Sequence, residues 1–156
     1  MKESIQEQLA IMNQLDKKQD ELYRRYALHL GISDTTFWVL YSLCETDEVY
    51  TQNTLAETWC IPKQTLNSVI NNLVQLGYVQ LKPMPNARNS KTIHLTKSGI
   101  DFYNNTIEPL FQAEQTAFSR LSPSERSTAI SLVKKHNLFF HEELNRLIQT
   151  RERESK

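Results

Sequence analysis

Apolar residues recur every three or four positions through most of this chain, and the period changes in only one short region. From residue 3 to about Leu30, the residues Ile5, Leu9, Met12, Leu15, Leu22 and Tyr26 stand at helical spacing and predict one long helix. Gly31 predicts its stop. Ser33 is placed to cap a second helix, with Asp34 in the first turn, where negative charge suits the helix dipole. That segment, DTTFWVLYSLCE, is apolar nearly all round, which predicts burial on most sides. Thr51 then caps a short helix, TQNTLAETW, that turns Leu55, Ala56 and Trp59 inward. The tripeptide CIP makes a tight turn. Pro62 fits the first position of a further helix, which runs to Leu76 and stops at Gly77.

After Gly77 the period falls to two. YVQLKP and KTIHL alternate as strands, separated by the loop MPNARNS, and so predict a hairpin. Thr96 caps a long helix whose Pro109 is expected to kink or divide it near Ile107. Ser122-Pro123-Ser124-Glu125 opens the last helix with a cap, a first-turn proline and a capping-box glutamate. Its apolar seam, Ile130, Val133, Phe140, Leu144 and Leu147, continues to about Ile148, and residues 151–156 are expected to fray. The fold class is therefore mainly α with a small β-hairpin wing, a winged helix-turn-helix core over residues 33–96. The helical regions 1–32 and 97–150 flank it. Helices this long cannot bury their seams on a core this small, so they pack either on each other or on a second copy of the chain, and the second is expected.

The helix after Pro62 has an unusual outer face. On a wheel of 3.6 residues per turn, Leu66, Val69, Ile70, Leu73 and Leu76 gather on one side. Lys63, Gln64, Asn67, Ser68, Asn71 and Gln75 gather on the other, with Thr65 beside them. An ordinary solvated face carries Glu and Lys for solubility and for pairing along the helix. This one has amides and hydroxyls and no acid. Asn and Gln donate and accept together, which matches the N6/N7 edge of adenine, while Lys63 can reach guanine or a phosphate.

Charge changes the picture in the same place. The 156 residues carry zero formal net charge, yet between Thr51 and Gly99 the bases Lys63, Lys82, Arg88, Lys91 and Lys97 face one acid, Glu57. Such local clustering makes a focused electrostatic footprint. A short helix, a turn and then the amide-bearing helix is the helix-turn-helix order, in which the second helix enters the major groove. The hairpin loop bears Arg88, flanked by Lys82 and Lys91, and can reach an adjacent minor groove. The residues predict a binder of double-stranded DNA. A winged-helix module that binds protein is the alternative, but its face should carry aromatic or aliphatic anchors rather than amides.

LAETWCIPKQTLNSVINNLVQLGYVQ followed by PNARNSKTIHLTKSG resembles the core of the MarR family of bacterial transcriptional regulators. Leu55-Ala56, the run from Leu73 to Val79, and Ile93-x-Leu95-Thr96-x-x-Gly99 carry the likeness. The resemblance implies a regulator that dimerises through its terminal helices; a cytoplasmic homodimeric repressor acting on a pseudo-palindromic operator is expected. It also implies a small aromatic or lipophilic ligand near the junction of the first two helices, where Tyr26, His29, Phe37, Trp38 and Tyr41 lie. One departure stands in the wing. The family's Asp-Arg-Arg reads Ala87-Arg88-Asn89 in this chain, which keeps the DNA-reaching Arg88 and removes the bracing pair, so a looser wing is expected.

The remaining chemistry is sparse. Cys44 and Cys60 make no disulfide framework, and Cys60 stands near Lys63 in the turn. His29, His94, His136 and His141 include no i,i+4 pair, so no metal site is expected. Three glycines without a G-x-G arrangement exclude nucleotide loops, and no nucleophile with a base emerges. No cofactor and no enzymatic activity are expected. No apolar run approaches membrane-spanning length.

Overall fold

A computed structural model describes residues 4–44, 48–84 and 90–154. In chain order the elements are α1 (Ile5–His29), α2 (Asp34–Cys44), α3 (Gln52–Thr58), α4 (Lys63–Gln75), β1 (Val79–Pro83), β2 (Lys91–Leu95), α5 (Lys97–Ser119) and α6 (Pro123–Glu154). The chain divides into two compact units, Met1–Pro109 and Leu110–Lys156.

The core of the first unit is built where the sequence period places apolar residues. Phe37, Val39 and Leu40 of α2 are buried with Leu55 and Ala56 of α3 and with Leu66, Val69, Ile70 and Leu73 of α4. Val79 and Ile93 of the hairpin, Ala27 of α1 and Ile107 of α5 are buried as well. β1 and β2 pair antiparallel, from Val79 opposite Leu95 to Pro83 opposite Lys91. Thr51 bridges to Thr92, and the Ile93 amide donates to the Tyr50 carbonyl at 2.8 Å. The segment leading into α3 is thereby fastened to β2, and the hairpin is fixed against the helix pair rather than projecting from it alone.

The helix starts follow their caps. Ser33 Oγ accepts from the Thr36 amide at 3.1 Å, and Thr51 Oγ1 accepts from the Thr54 amide at 3.2 Å while Thr54 Oγ1 accepts from the Thr51 amide. Thr96 Oγ1 accepts from the Gly99 amide at 3.0 Å and itself donates to the Gly77 carbonyl, joining the start of α5 to the end of α4. Gly99 is required by close approach, since a Cβ there would lie 2.0 Å from the Tyr78 carbonyl oxygen.

Three helices stop in one way. At the ends of α1, α3 and α4 an amide two residues past the cap bonds back five residues: Ile32 to Ala27, Ile61 to Ala56 and Tyr78 to Leu73. The residue between must take a left-handed backbone. Gly31 (φ 69°) and Gly77 (φ 75°) do so freely, whereas at the end of α3 the position is held by Cys60 (φ 51°). The CIP turn is thus a helix stop with a non-glycine residue in the glycine position. Pro62 is the N-cap of α4, extended at ψ 130°, one position earlier than expected.

Other expectations are corrected. Leu76 is 56% exposed although it fits the apolar period, because the helix ends at Gln75 and Leu76 caps it. α5 is not divided: it runs through Pro109 as one helix, and the boundary between the two units falls just after that proline. The tail expected to fray from residue 151 is helical to Glu154.

In the second unit, α6 opens on the expected box. The Glu125 amide donates to Ser122 Oγ at 3.3 Å and the Ser122 amide donates to the Glu125 carboxylate at 2.8 Å. None of the side chains of α6 is buried, and Ile130, Val133, Phe140, Leu144 and Leu147 all stand exposed. In the first unit, α1 likewise exposes Ile5, Leu9, Met12, Leu15 and Leu22.

Candidate nucleic-acid interface

α4 presents the face expected of it. With Leu66, Val69, Ile70 and Leu73 buried, Lys63, Gln64, Thr65, Asn67, Ser68, Asn71 and Asn72 are all exposed. A helix held by one apolar stripe against α2, α3 and β1 has no freedom to roll, so the direction of the opposite stripe is determined by the core. Glu57, the single acid of the 51–99 segment, is on α3.

The outer face of α4 is not uniform. Asn67 and Asn71, four residues apart, share one side of a groove with Thr51, Gln52 and Asn53 at the start of α3 and with Leu81, Ser90 and Lys91 of the hairpin. Its volume is about 340 Å³. Gln64, Thr65 and Ser68 do not line it. Ser68 Oγ donates to the Gln64 carbonyl at 3.1 Å, so its hydroxyl proton is spent within the helix and the side chain is turned toward outside partners as an acceptor.

Lys82 and Lys91 flank the hairpin loop, near the end of β1 and at the start of β2. Pairing separates them. Lys91 stands opposite Pro83, two positions along from Ile93, and lines the groove beside α4. Lys82 stands opposite Thr92 and, by strand alternation, on the other face, where Thr92 Oγ1 and His94 Nε2 lie 2.8 Å apart. Arg88, with Ala87 and Asn89, lies outside the described residues. Gln52, Asn53 and Ser90 were not singled out from sequence. For Gln52 and Asn53 the signal was present in the acid-free run Thr51-Gln52-Asn53, but only the fold brings that run to α4.

Of the five residues considered for a ligand, Tyr26, Phe37, Trp38 and Tyr41 pack as one ring cluster, with Tyr26 6.4 Å from Phe37 between centroids. Trp38 lies 5.3 Å from Phe37 and 5.5 Å from Tyr41 between ring centroids, and Tyr23, missed in the sequence, lies 4.9 Å from Trp38. Phe37 and Tyr41 are buried, and Tyr26 Oη donates to the Thr106 carbonyl at 2.6 Å. His29 is exposed. The rings pack on one another and tie α1 to α2. Burial pushes the Cys44 thiol up to about 12, so it is a neutral thiol at physiological pH, while Cys60 is exposed in its turn. Among the described residues no three His, Cys, Asp or Glu side chains converge as metal ligands, and no helix is long and apolar enough to cross a membrane.

Two short helices joined by a turn, a two-stranded hairpin beside the second, and an acid-free polar face on that second helix define a winged helix-turn-helix protein. Residues 30–88 match the model of the MarR family. Solved structures share the fold. A MarR family regulator from Neisseria meningitidis superposes with a TM-score of 0.74 at 18% identity, covering 88% of this chain and 96% of the other. S. aureus MepR in its DNA-binding conformation gives 0.71 at 19% identity over 84% and 96%. A putative MarR family transcriptional regulator from Listeria monocytogenes, complexed with 26mer DNA, gives 0.67 at 20% identity over 92% of each chain. No curated protein sequence matches the chain.

Proposed function

We propose that this chain is a sequence-specific DNA-binding transcriptional regulator, working as a homodimer that sets one α4 in each of two successive major grooves. The observation that carries the proposal is the outer face of α4, exposed along its length, rich in amides and hydroxyls, and without an acid. A face that met protein would need apolar anchors, and a face that met only water would gain from carboxylates. Relatives in fold include one captured in a DNA-binding conformation and one on DNA.

The dimer is supported by the apolar residues that α1 and α6 leave exposed, a surface too extensive for a soluble monomer. Two-fold symmetry then asks for half-sites about 10 bp, or roughly 34–36 Å, apart. Repression, with release by a small aromatic or lipophilic ligand, belongs to the same proposal as the habit of the family.

Fluorescence anisotropy of a labelled duplex, titrated with protein at several salt concentrations, tests it. Binding should weaken steeply with salt, as counterion release requires, and Arg88→Ala should flatten the slope by about one unit per protomer if that side chain meets a phosphate. Binding indifferent to salt, or no binding at low salt, would overturn the proposal.

A further inference from the structure

We propose that the groove between α4, the start of α3 and the base of the hairpin is the seat of one DNA backbone strand, and that Asn67 and Asn71 are positioning residues there rather than readers of adenine. This rests on the DNA-binding function proposed above and assigns roles within it.

The geometry of B-DNA supplies the reason. A strand of sugar and phosphate separates the major groove, which takes the second helix, from the neighbouring minor groove, which takes the wing. Whatever lies between α4 and the hairpin must therefore receive that strand. The groove found there fits it chemically. It offers the amides of Gln52, Asn53, Asn67 and Asn71, the hydroxyl of Ser90 and the ammonium of Lys91, with no carboxylate among its lining residues. Ligand pockets for small molecules are mostly apolar, and Leu81 is the one large apolar residue lining this groove. Neutral donors with a single cation suit phosphate and sugar oxygens, which accept hydrogen bonds and carry no sequence information.

The walls are held in place. Thr51 is bridged to Thr92, and Leu66, Val69, Ile70 and Leu73 lock the roll of α4. Asn67 and Asn71 are thus flanked by the start of α3 and by Lys91. Gln64, Thr65 and Ser68 stand on α4 clear of the groove and keep the base-reading role.

The test uses the full-length protein and a pool of duplexes randomised around its preferred site, with wild type compared against N67A/N71A and Q64A/T65A. For N67A/N71A we expect affinity to fall about tenfold on every sequence alike, leaving the base preference unchanged, as loss of phosphate hydrogen bonds requires. For Q64A/T65A we expect the preference at particular positions to relax. Single neutral methylphosphonates placed along the duplex add a readout that a folding defect cannot mimic: one substitution should weaken wild type and have no further effect on N67A/N71A. If N67A/N71A alters the preference at defined positions, or if every methylphosphonate weakens variant and wild type equally, the groove assignment is wrong while the DNA-binding function stands. Failure of the wild type to bind any duplex would overturn both.

Discussion

The α4 helix and the α6 helix carry apolar stripes of similar spacing, and they meet opposite fates. In α4, Leu66, Val69, Ile70 and Leu73 are buried within one chain, against neighbours supplied by α2, α3 and the hairpin. In α6, Ile130, Val133, Phe140, Leu144 and Leu147 are all exposed. Periodicity reports that a face is apolar; it does not report what covers it. A short helix in a helix-turn-helix finds its cover locally. A 32-residue helix outruns anything one small core can offer, and in the proposed dimer a second copy completes its seam.

The sharpest way to break this contrast is to remove one side chain from each stripe. Ile70→Ala empties a fully buried position and should cost about 3 kcal/mol, lowering the thermal midpoint equally at every protein concentration. Phe140→Ala should lower the midpoint mainly in dilute solution, because its loss acts through dissociation of the dimer. Thermal scans over a hundredfold range of concentration separate the two behaviours. A Phe140→Ala effect independent of concentration would mean that the seam closes within the chain.

A smaller effect compares the three helix stops. Cys60→Gly should stabilise by about 1 kcal/mol, since it relieves a side chain held at φ 51°. Gly77→Ala should destabilise by about the same amount through backbone strain alone, because its added Cβ has open space around it. Chemical denaturation measures both, and equal effects of the same sign would show that the left-handed stop does not govern these helix ends.

Much of this was legible in the sequence. Element order, the caps at Ser33, Thr51, Thr96 and Ser122, and the burial of the α4 stripe follow from local spacing and cap chemistry. Other features needed the fold. Leu76 keeps the apolar period yet sits at the cap past the last helical residue, more than half exposed. Cys60 takes a glycine conformation that no residue type announces. Pro109 occupies a helix that continues past it to Ser119. The opposite placement of Lys82 and Lys91 was readable from strand alternation. The separation of Asn67 and Asn71 from Gln64 and Ser68 was not, since it depends on where the hairpin lies.

The smallest expected effect concerns acid. The hydroxyl and backbone amide of Ser122 stabilise the ionised Glu125 carboxylate, and those of Ser4 donate to Glu7, so both carboxyls are held below the ordinary value of 4.5. For Glu125 the side-chain hydrogen bond is the larger cause and for Glu7 the backbone one. A pKa lower in the folded chain than in the unfolded one adds stability that is present above the ordinary value and is lost as pH falls through the folded one. These two helix starts should therefore loosen below about pH 4.5, whereas the neutral Thr51–Thr54 box of α3 should not. Side-chain carboxyl NMR checks this: in Ser122→Ala, Glu125 should titrate closer to its ordinary value, since the side-chain bond is lost and the backbone donor remains, and an unchanged titration would dissolve the contrast.

The central claim is that the α4 face reads DNA in a two-fold complex. Selection from a randomised duplex pool with the purified protein tests it most directly. The expected result is enrichment of a pseudo-palindrome with half-sites about 10 bp apart. Enrichment of a lone half-site would contradict the dimer, and no enrichment at low salt would contradict the DNA-reading role of α4 itself.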